Sequence, residues 1–250
     1  MPESEQAMTL PATIICMKWG TRYGADYVNR LYGMVARHLS LPFQLVCFTD
    51  DAQGVDERVS IRDLPPLELP AETPERGWNK LTTLQAELGG LQGEALFLDL
   101  DVVIVDQIDD CFTYPAEFAI ILDGKLRRRQ IGNSSVYRFK IGKYDDILQH
   151  FRRDFAHIQR RYRNEQAFLS AEIRKRGELS FWPEAWCPSF KYDCMPNWPM
   201  TYFRDAPIPK GAKIVVFHGH PKPPEAIAGI SRKWYRPVRP TPWVADYWRH

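Results

Sequence analysis

Short apolar runs recur along the chain, each broken by glycines, acids or prolines. Ala12-Thr13-Ile14-Ile15-Cys16 reads as a buried strand and breaks into Met17-Lys18-Trp19-Gly20-Thr21-Arg22-Tyr23-Gly24, a loop of glycines, cations and aromatics. Val28, Leu31, Tyr32, Val35 and Leu39 then fall at helical spacing. Residues 43–48 form a second apolar run, ending at Thr49-Asp50-Asp51. Strand, loop, helix and strand in that order make a βαβ unit, which predicts a parallel sheet with its ligands beyond the carboxyl ends of the strands. Lys18, Trp19, Tyr23 and Asp50 therefore become candidates for a binding site.

Residues 52–75 are polar and proline-containing and read as a connection. Gly77-Trp78-Asn79-Lys80 opens a predicted helix with Leu81, Leu84 and Leu88 on one face, stopped at Gly89-Gly90. A lysine at a helix start opposes the helix dipole, so Lys80 is either a contact for a phosphate or sugar or a solvated side chain. Glu94-Ala95-Leu96-Phe97-Leu98-Asp99-Leu100-Asp101-Val102-Val103-Ile104-Val105 is the stretch around which the rest is organised. Four apolar residues precede Asp99 and four follow Asp101, so a buried strand is expected to carry both aspartates at its end.

Further on, residues 118–122 form a strand before Asp123-Gly124, and Asn133-Ser134-Ser135 opens another over 136–139. Ile147, Leu148, Phe151 and Phe155 predict a helix over 144–155; Asn164 is an N-cap for a helix over 165–176, stopped by Gly177. Lys213-Ile214-Val215-Val216-Phe217 is the last strand and leads into His218-Gly219-His220-Pro221-Lys222. The pattern as a whole predicts an α/β fold with a mostly parallel central sheet flanked by helices, one domain over 1–250. Residues 1–11 would be a flexible N-terminus, and 225–250 an aromatic, proline-rich tail that wraps the domain or stacks on an acceptor.

Composition changes this picture little. With 250 residues, 44% apolar and 26% charged, the chain can bury a sizeable core. A net charge of +2 gives no general attraction to nucleic acid. No apolar stretch nears the ~20 residues of a spanning helix, and the acidic first residues lack a signal-peptide pattern, so a reducing cytoplasm is expected. Five cysteines without close metal spacing argue against a disulfide framework. Cys16 and Cys47 read as core, while Cys187 and Cys194 could pair. Arginines cluster at Arg127-Arg128-Arg129, Arg152-Arg153, Arg160-Arg161, Arg163 and Arg174-Lys175-Arg176. Each is most simply a solvated face; together they bias the site toward an anionic acceptor.

The chemistry centres on Asp99 and Asp101. In an extended backbone, positions two apart share a side, so the two carboxylates aim at one point. They repel there unless a cation lies between them, and hard oxygen ligands suit Mn²⁺ or Mg²⁺ holding a diphosphate. The alternative is a pair of solvated turn aspartates. His218 and His220, at another strand end, offer a third, nitrogen ligand, and Lys222 a contact for phosphate.

These motifs resemble glycosyltransferase family 8, nucleotide-sugar transferases of the GT-A fold, in a divergent bacterial branch. Phe97-Leu98-Asp99-Leu100-Asp101-Val102-Val103 is similar to the family's D-x-D strand end. Trp78-Asn79-Lys80-Leu81, Gly132-Asn133-Ser134-Ser135-Val136, Glu165-Gln166 and Gly219-His220-Pro221-Lys222-Pro223 resemble its donor-binding segments. The resemblance implies a UDP-sugar donor, Mn²⁺ on Asp99 and Asp101 with His218 or His220, and transfer with retention. It further implies a diphosphate contact from Lys222, and Lys80, Asn133, Ser134, Glu165 and Gln166 at the sugar, with Gln166, Glu165 and Lys222 as the catalytic residues; Tyr23 would lie on the base. Two departures stand out. The family's metal histidine would fall at Val216, and the acid that follows its Asp-Gln pair is Ala167 here. Two other readings remain open at this point. One is a haloacid dehalogenase-type phosphatase with Asp99 as nucleophile, and the other a non-catalytic nucleotide-sugar or carbohydrate-binding protein.

Overall fold

A computed structural model describes residues 11–74, 76–124 and 127–250. In chain order its main elements are β1 (Ala12–Lys18), α1 (Ala25–His38), β2 (Phe43–Thr49), β3 (Ser60–Asp63), β4 (Glu94–Leu98) and β5 (Val102–Ile104). There follow α2 (Asp110–Thr113), β6 (Phe118–Leu122), β7 (Gly132–Lys140), α3 (Asp145–Arg153), α4 (Phe155–Arg161), α5 (Glu165–Lys175), β8 (Leu179–Phe181), β9 (Ile214–Val216), α6 (Pro223–Ala228) and α7 (Pro242–Tyr247). The central sheet runs β3-β2-β1-β4-β7-β6-β8. Strands β3, β2, β1 and β4 are mutually parallel, β7 runs antiparallel to both its neighbours, and β8 is parallel to β6.

The uninterrupted apolar runs are explained by a sheet covered on both faces. In β1, Ile14 and Cys16 join one core cluster with α1, while Ile15 and Met17 join another with α3 and α5. The same alternation places Leu96 and Leu98 of β4 on the first side and Ala95 and Phe97 on the second.

Several expected elements differ. The helix expected after Gly77 is a tight 3₁₀ turn over Trp78–Leu84, where Thr82 and Thr83 hydroxyls donate back to the Asn79 and Lys80 carbonyls. Strand β7 begins at Gly132, so Asn133 and Ser134 lie inside it. A register shift opposite Ile120/Ile121 bends the strand at that place. Strands β3 and β8 and helix α4 have no counterpart in the sequence reading.

Residues 1–10, which include most of the expected flexible N-terminus, lie outside the described residues. The tail wraps the domain in part: Trp248 is buried against Tyr27 and under the Arg30 guanidinium. Its backbone end presses on α1 at Gly33, where a Cβ would meet the His250 carbonyl carbon at 2.6 Å. Trp234 and Tyr235, by contrast, are exposed. All five cysteines are free and buried, so the possible Cys187–Cys194 pair is not formed. Among the described residues no helix is long and apolar enough to cross a membrane.

Candidate active site

The chain between the two aspartates does not continue as one strand. Strand β4 stops at Leu98, residues 100–101 form a turn, and β5 departs into a separate two-stranded sheet with β9. Backbone bonds fix both ends of the turn. The Asp99 amide donates to the Ser135 carbonyl of β7 at 2.9 Å, and the Asp101 carbonyl accepts from the Phe217 amide at 3.0 Å. The extended backbone expected at the two carboxylates is not present: a turn, not a pleat, sets their positions.

Each carboxylate carries a lysine. Lys80 Nζ lies 2.6 Å from Asp99 Oδ1 and donates to the Ser134 carbonyl at 3.3 Å. Lys222 Nζ binds Asp101 Oδ2 and also reaches the Tyr23 hydroxyl at 2.6 Å. Tyr23 in turn donates to Asp101 Oδ2 at 2.8 Å. Asp101 is only 6% exposed, which removes the solvated-turn alternative for it. Burial and the charges of Asp101 and Asp99 together push the Tyr23 hydroxyl far above its ordinary pKa, so it is a neutral donor at all working pH values.

On the β7 side, Ser134 donates a short hydrogen bond to the buried Glu165 at the start of α5. Gly77 makes room for that carboxylate: its φ is +78°, and a Cβ there would sit 2.9 Å from Glu165 Oε2. Burial tends to lower the Lys80 pKa, but Asp99 and Glu165 outweigh it and hold the ammonium above the usual lysine range. Burial raises the Glu165 carboxyl, against the opposing pull of Lys80 and Ser134.

The sign of that last shift gives a prediction. The folded state holds the Glu165 proton more tightly than the unfolded chain does. Its contribution therefore makes stability fall as pH rises from about 4.3, the unfolded value, through the raised folded value. Glu165→Gln keeps an acceptor for Ser134 and should remove this decline. Urea midpoints measured across the mildly acidic to neutral range check it, and parallel profiles for the two proteins would count against the assignment.

The two histidines go elsewhere. His220 Nδ1 lies 2.8 Å from Glu225 Oε2, the same oxygen that accepts from the Lys222 amide at 2.9 Å, while Arg232 holds the other oxygen at 2.7 Å. Burial disfavours the charged Glu225, yet these donors win and pull its pKa down to about 2. Glu225 thus clamps the turn that delivers Lys222. Sequence reading missed this residue, although Pro223 and Pro224 followed by Glu225 is a legible helix start. His218 Nε2 lies 3.4 Å from Ser189 Oγ, and its ring stacks with Tyr192. Among the described residues no group of three His, Cys, Asp or Glu side chains is arranged to hold a metal ion. The expected set of two aspartates and a histidine is therefore not assembled.

Two carboxylates at one turn still fit a hard divalent cation, because Mg²⁺-type sites often use one or two carboxylates and take their other ligands from phosphate and water. Asp99 and Asp101 would hold it, with Lys222 giving up Asp101.

The remaining candidates line the neighbouring loops. Lys18, buried at the end of β1, donates to the Asp51 carbonyl at 2.7 Å, and Asp50 Oδ2 accepts from the Gly20 amide at 2.9 Å. These contacts shape the loop that carries Trp19 and Tyr23. Gln166 reaches Asp123 at 3.4 Å, and both line a cavity of about 1120 Å³ together with Asn133, His218 and Ser189. Much of the 181–193 segment also lines this cavity, a contribution that the sequence reading did not assign.

The structure is similar to that of the galactosyltransferase LgtC, solved in complex with donor and acceptor sugar analogs (TM-score 0.56, 12% identity, covering 84% of this chain and 88% of that one). It is also similar to the glycosyltransferase GlyE of Streptococcus pneumoniae TIGR4 (TM-score 0.58, 12% identity, 85% and 56%). A third is the apo form of the bifunctional glycosyltransferase WbbM (TM-score 0.55, 13% identity, 85% and 46%). The chain thus spans most of LgtC and about half of GlyE and WbbM. Its architecture is the GT-A fold of these glycosyltransferases. No family model matches the sequence, and no curated protein does either.

Proposed function

We propose that the protein is a glycosyltransferase that moves a sugar from a nucleotide sugar, a UDP-sugar, to an acceptor, with retention at the anomeric carbon. The observation that carries the reading is one cluster, Asp99 and Lys80 with Asp101, Lys222 and Tyr23, on the strand-end side of a sheet shared with glycosyltransferases. Two cations and two carboxylates at one turn can trade partners when a diphosphate arrives. Lys222 then turns from Asp101 to a phosphate oxygen, and Tyr23 keeps Asp101 in place.

A divalent cation held by Asp99 and Asp101 would neutralise charge on the departing diphosphate. Lys80, held by Asp99 and the Ser134 carbonyl, would orient the donor sugar. Gln166 and Asn133 face the adjoining cavity and would bind its hydroxyls. Glu165 acts from behind, fixing Ser134. The phosphatase reading finds no support: Asp99 is engaged by Lys80 and follows β4, well inside the chain, in an architecture matching glycosyltransferases.

A thermal-shift screen of nucleotide sugars with and without Mn²⁺, followed by product analysis of each stabilising donor, tests the function. One UDP-sugar is expected to raise the melting temperature more with Mn²⁺ than without, and to release UDP on incubation. Stabilisation without any turnover would favour a binding protein; no response to any nucleotide sugar would dismiss the reading.

A further inference from the structure

The cavity beside Gln166 and Asn133 has an arginine wall. Arg129, Arg161, Arg163 and Arg174 line it, brought together from three places: the 3₁₀ turn Arg127–Arg129, the end of α4 with the link to α5, and the last turn of α5. Among the described residues none of the four forms an ion pair with a carboxylate. Arg174 donates to the carbonyls of Arg129 and Gln130, Arg161 lies over the Tyr162 ring, and Arg163 offers only its backbone carbonyl, to Arg76.

Three acids share the cavity. Asp193 accepts from the Ser189 amide at 2.7 Å and Asp123 from Gln166 at 3.4 Å. Glu184 lines it with Asp193, both from the 181–193 segment. The start of α5, Asn164 to Ala167, opens on the same space and adds the positive end of a helix of 11 residues. Guanidinium groups are planar forks suited to carboxylates and phosphates, and these four are exposed, with no acidic partner among the described residues holding them.

We propose that the acceptor is an acidic saccharide, a sugar bearing a carboxylate or phosphate, with its charged group on the arginine wall and its hydroxyl turned toward Gln166. This rests on the transferase reading for the word acceptor, but the anion site itself stands on the cavity alone. Solvated arginine runs are the ordinary state of such residues. Here the runs converge on one large concave space next to the sugar-facing residues, which a scattered surface charge does not do.

Calorimetric titrations with glucuronate, glucose 6-phosphate and glucose test it, with UDP titrated into the same samples. At low ionic strength at least one acidic sugar should bind about tenfold more tightly than glucose, equivalent to about 1.4 kcal/mol. Which of the two does so tells carboxylate from phosphate. The preference should shrink as salt rises to about 0.3 M. In the double variant Arg161→Ser, Arg163→Ser it should fall to about twofold or less, while Arg161→Lys, Arg163→Lys retains most of it and both bind UDP like the parent. Equal binding of all three sugars, no binding of either acidic sugar, or a preference that survives the serine variant overturns the proposal. UDP binding with no acidic preference defeats the acceptor proposal alone. An acidic preference lost in the serine variant, with no UDP binding by any sample, defeats the transferase reading alone.

Discussion

Replacing Asp101 by asparagine is expected to lower sugar transfer by about 100- to 1000-fold, the scale seen when one preorganised charge-stabilising group is removed from an active site. The substituted side chain would still accept from the Tyr23 hydroxyl, and the backbone carbonyl would still receive the Phe217 amide, so the turn keeps its shape. What is lost is charge. The amide can neither balance Lys222 nor ligate a divalent cation with comparable strength. Breaking a buried pair also leaves an uncompensated ammonium, at a cost to stability of about 3 kcal/mol. Steady-state kinetics with the preferred donor, alongside urea unfolding, separate the two effects. A variant that folds and transfers at the parental rate would remove Asp101 from the mechanism.

The second large effect is expected at Lys222. Lys222→Met keeps the length of the side chain and its packing on Tyr23, but removes the ammonium that would meet the diphosphate. The variant is expected to lose about 100-fold in kcat, because the charge on the leaving group grows toward the transition state and binding to the ground state changes less. Asp101 is then left buried beside Tyr23 alone, so a divalent cation should bind this variant at least as tightly as the parent. That split separates the lysine from the aspartate: Asp101→Asn loses metal-dependent UDP binding, whereas Lys222→Met keeps it. Calorimetry with and without Mn²⁺ reads the difference, and loss of metal dependence in both variants would mean that Lys222 acts only by holding the turn.

Much of the frame could be read before any coordinates. Strands β1, β2, β4, β6 and β9 and helices α1, α3 and α5 follow from apolar runs and helical spacing, because burial on both faces of the sheet writes itself as continuous hydrophobicity. Strand β3 is Ser60-Ile61-Arg62-Asp63, an edge strand with one apolar residue, whose pairing to β2 is supplied by the tertiary fold. Strand β8 is similarly short and half-exposed. The turn at Leu100-Asp101 was invisible because the residues after it are as apolar as those before; only pairing with β9, far along the chain, shows where the strand ends.

In the site, Asp99, Asp101, Lys80 and Lys222 could each be singled out from residue type and place. Their pairing could not be. Lys80 meets Asp99 where its 3₁₀ turn reaches the Ser134 carbonyl of β7, the strand beside β4, and Lys222 meets Asp101 because β9 pairs with β5. The histidines are placed by partners that the sequence does not announce. Imidazole near two carboxylates is attractive chemistry on paper, but Glu225 and Ser189, neither of them singled out by the sequence, take up those rings instead.

The most direct measurement is a difference map from a crystal soaked with UDP and Mn²⁺. The diphosphate is expected between the Asp99–Asp101 turn and Lys222, with the cation on the two aspartates and the Lys222 ammonium moved from Asp101 to a phosphate oxygen. A diphosphate bound elsewhere, with Lys222 still seated on Asp101, would contradict the account.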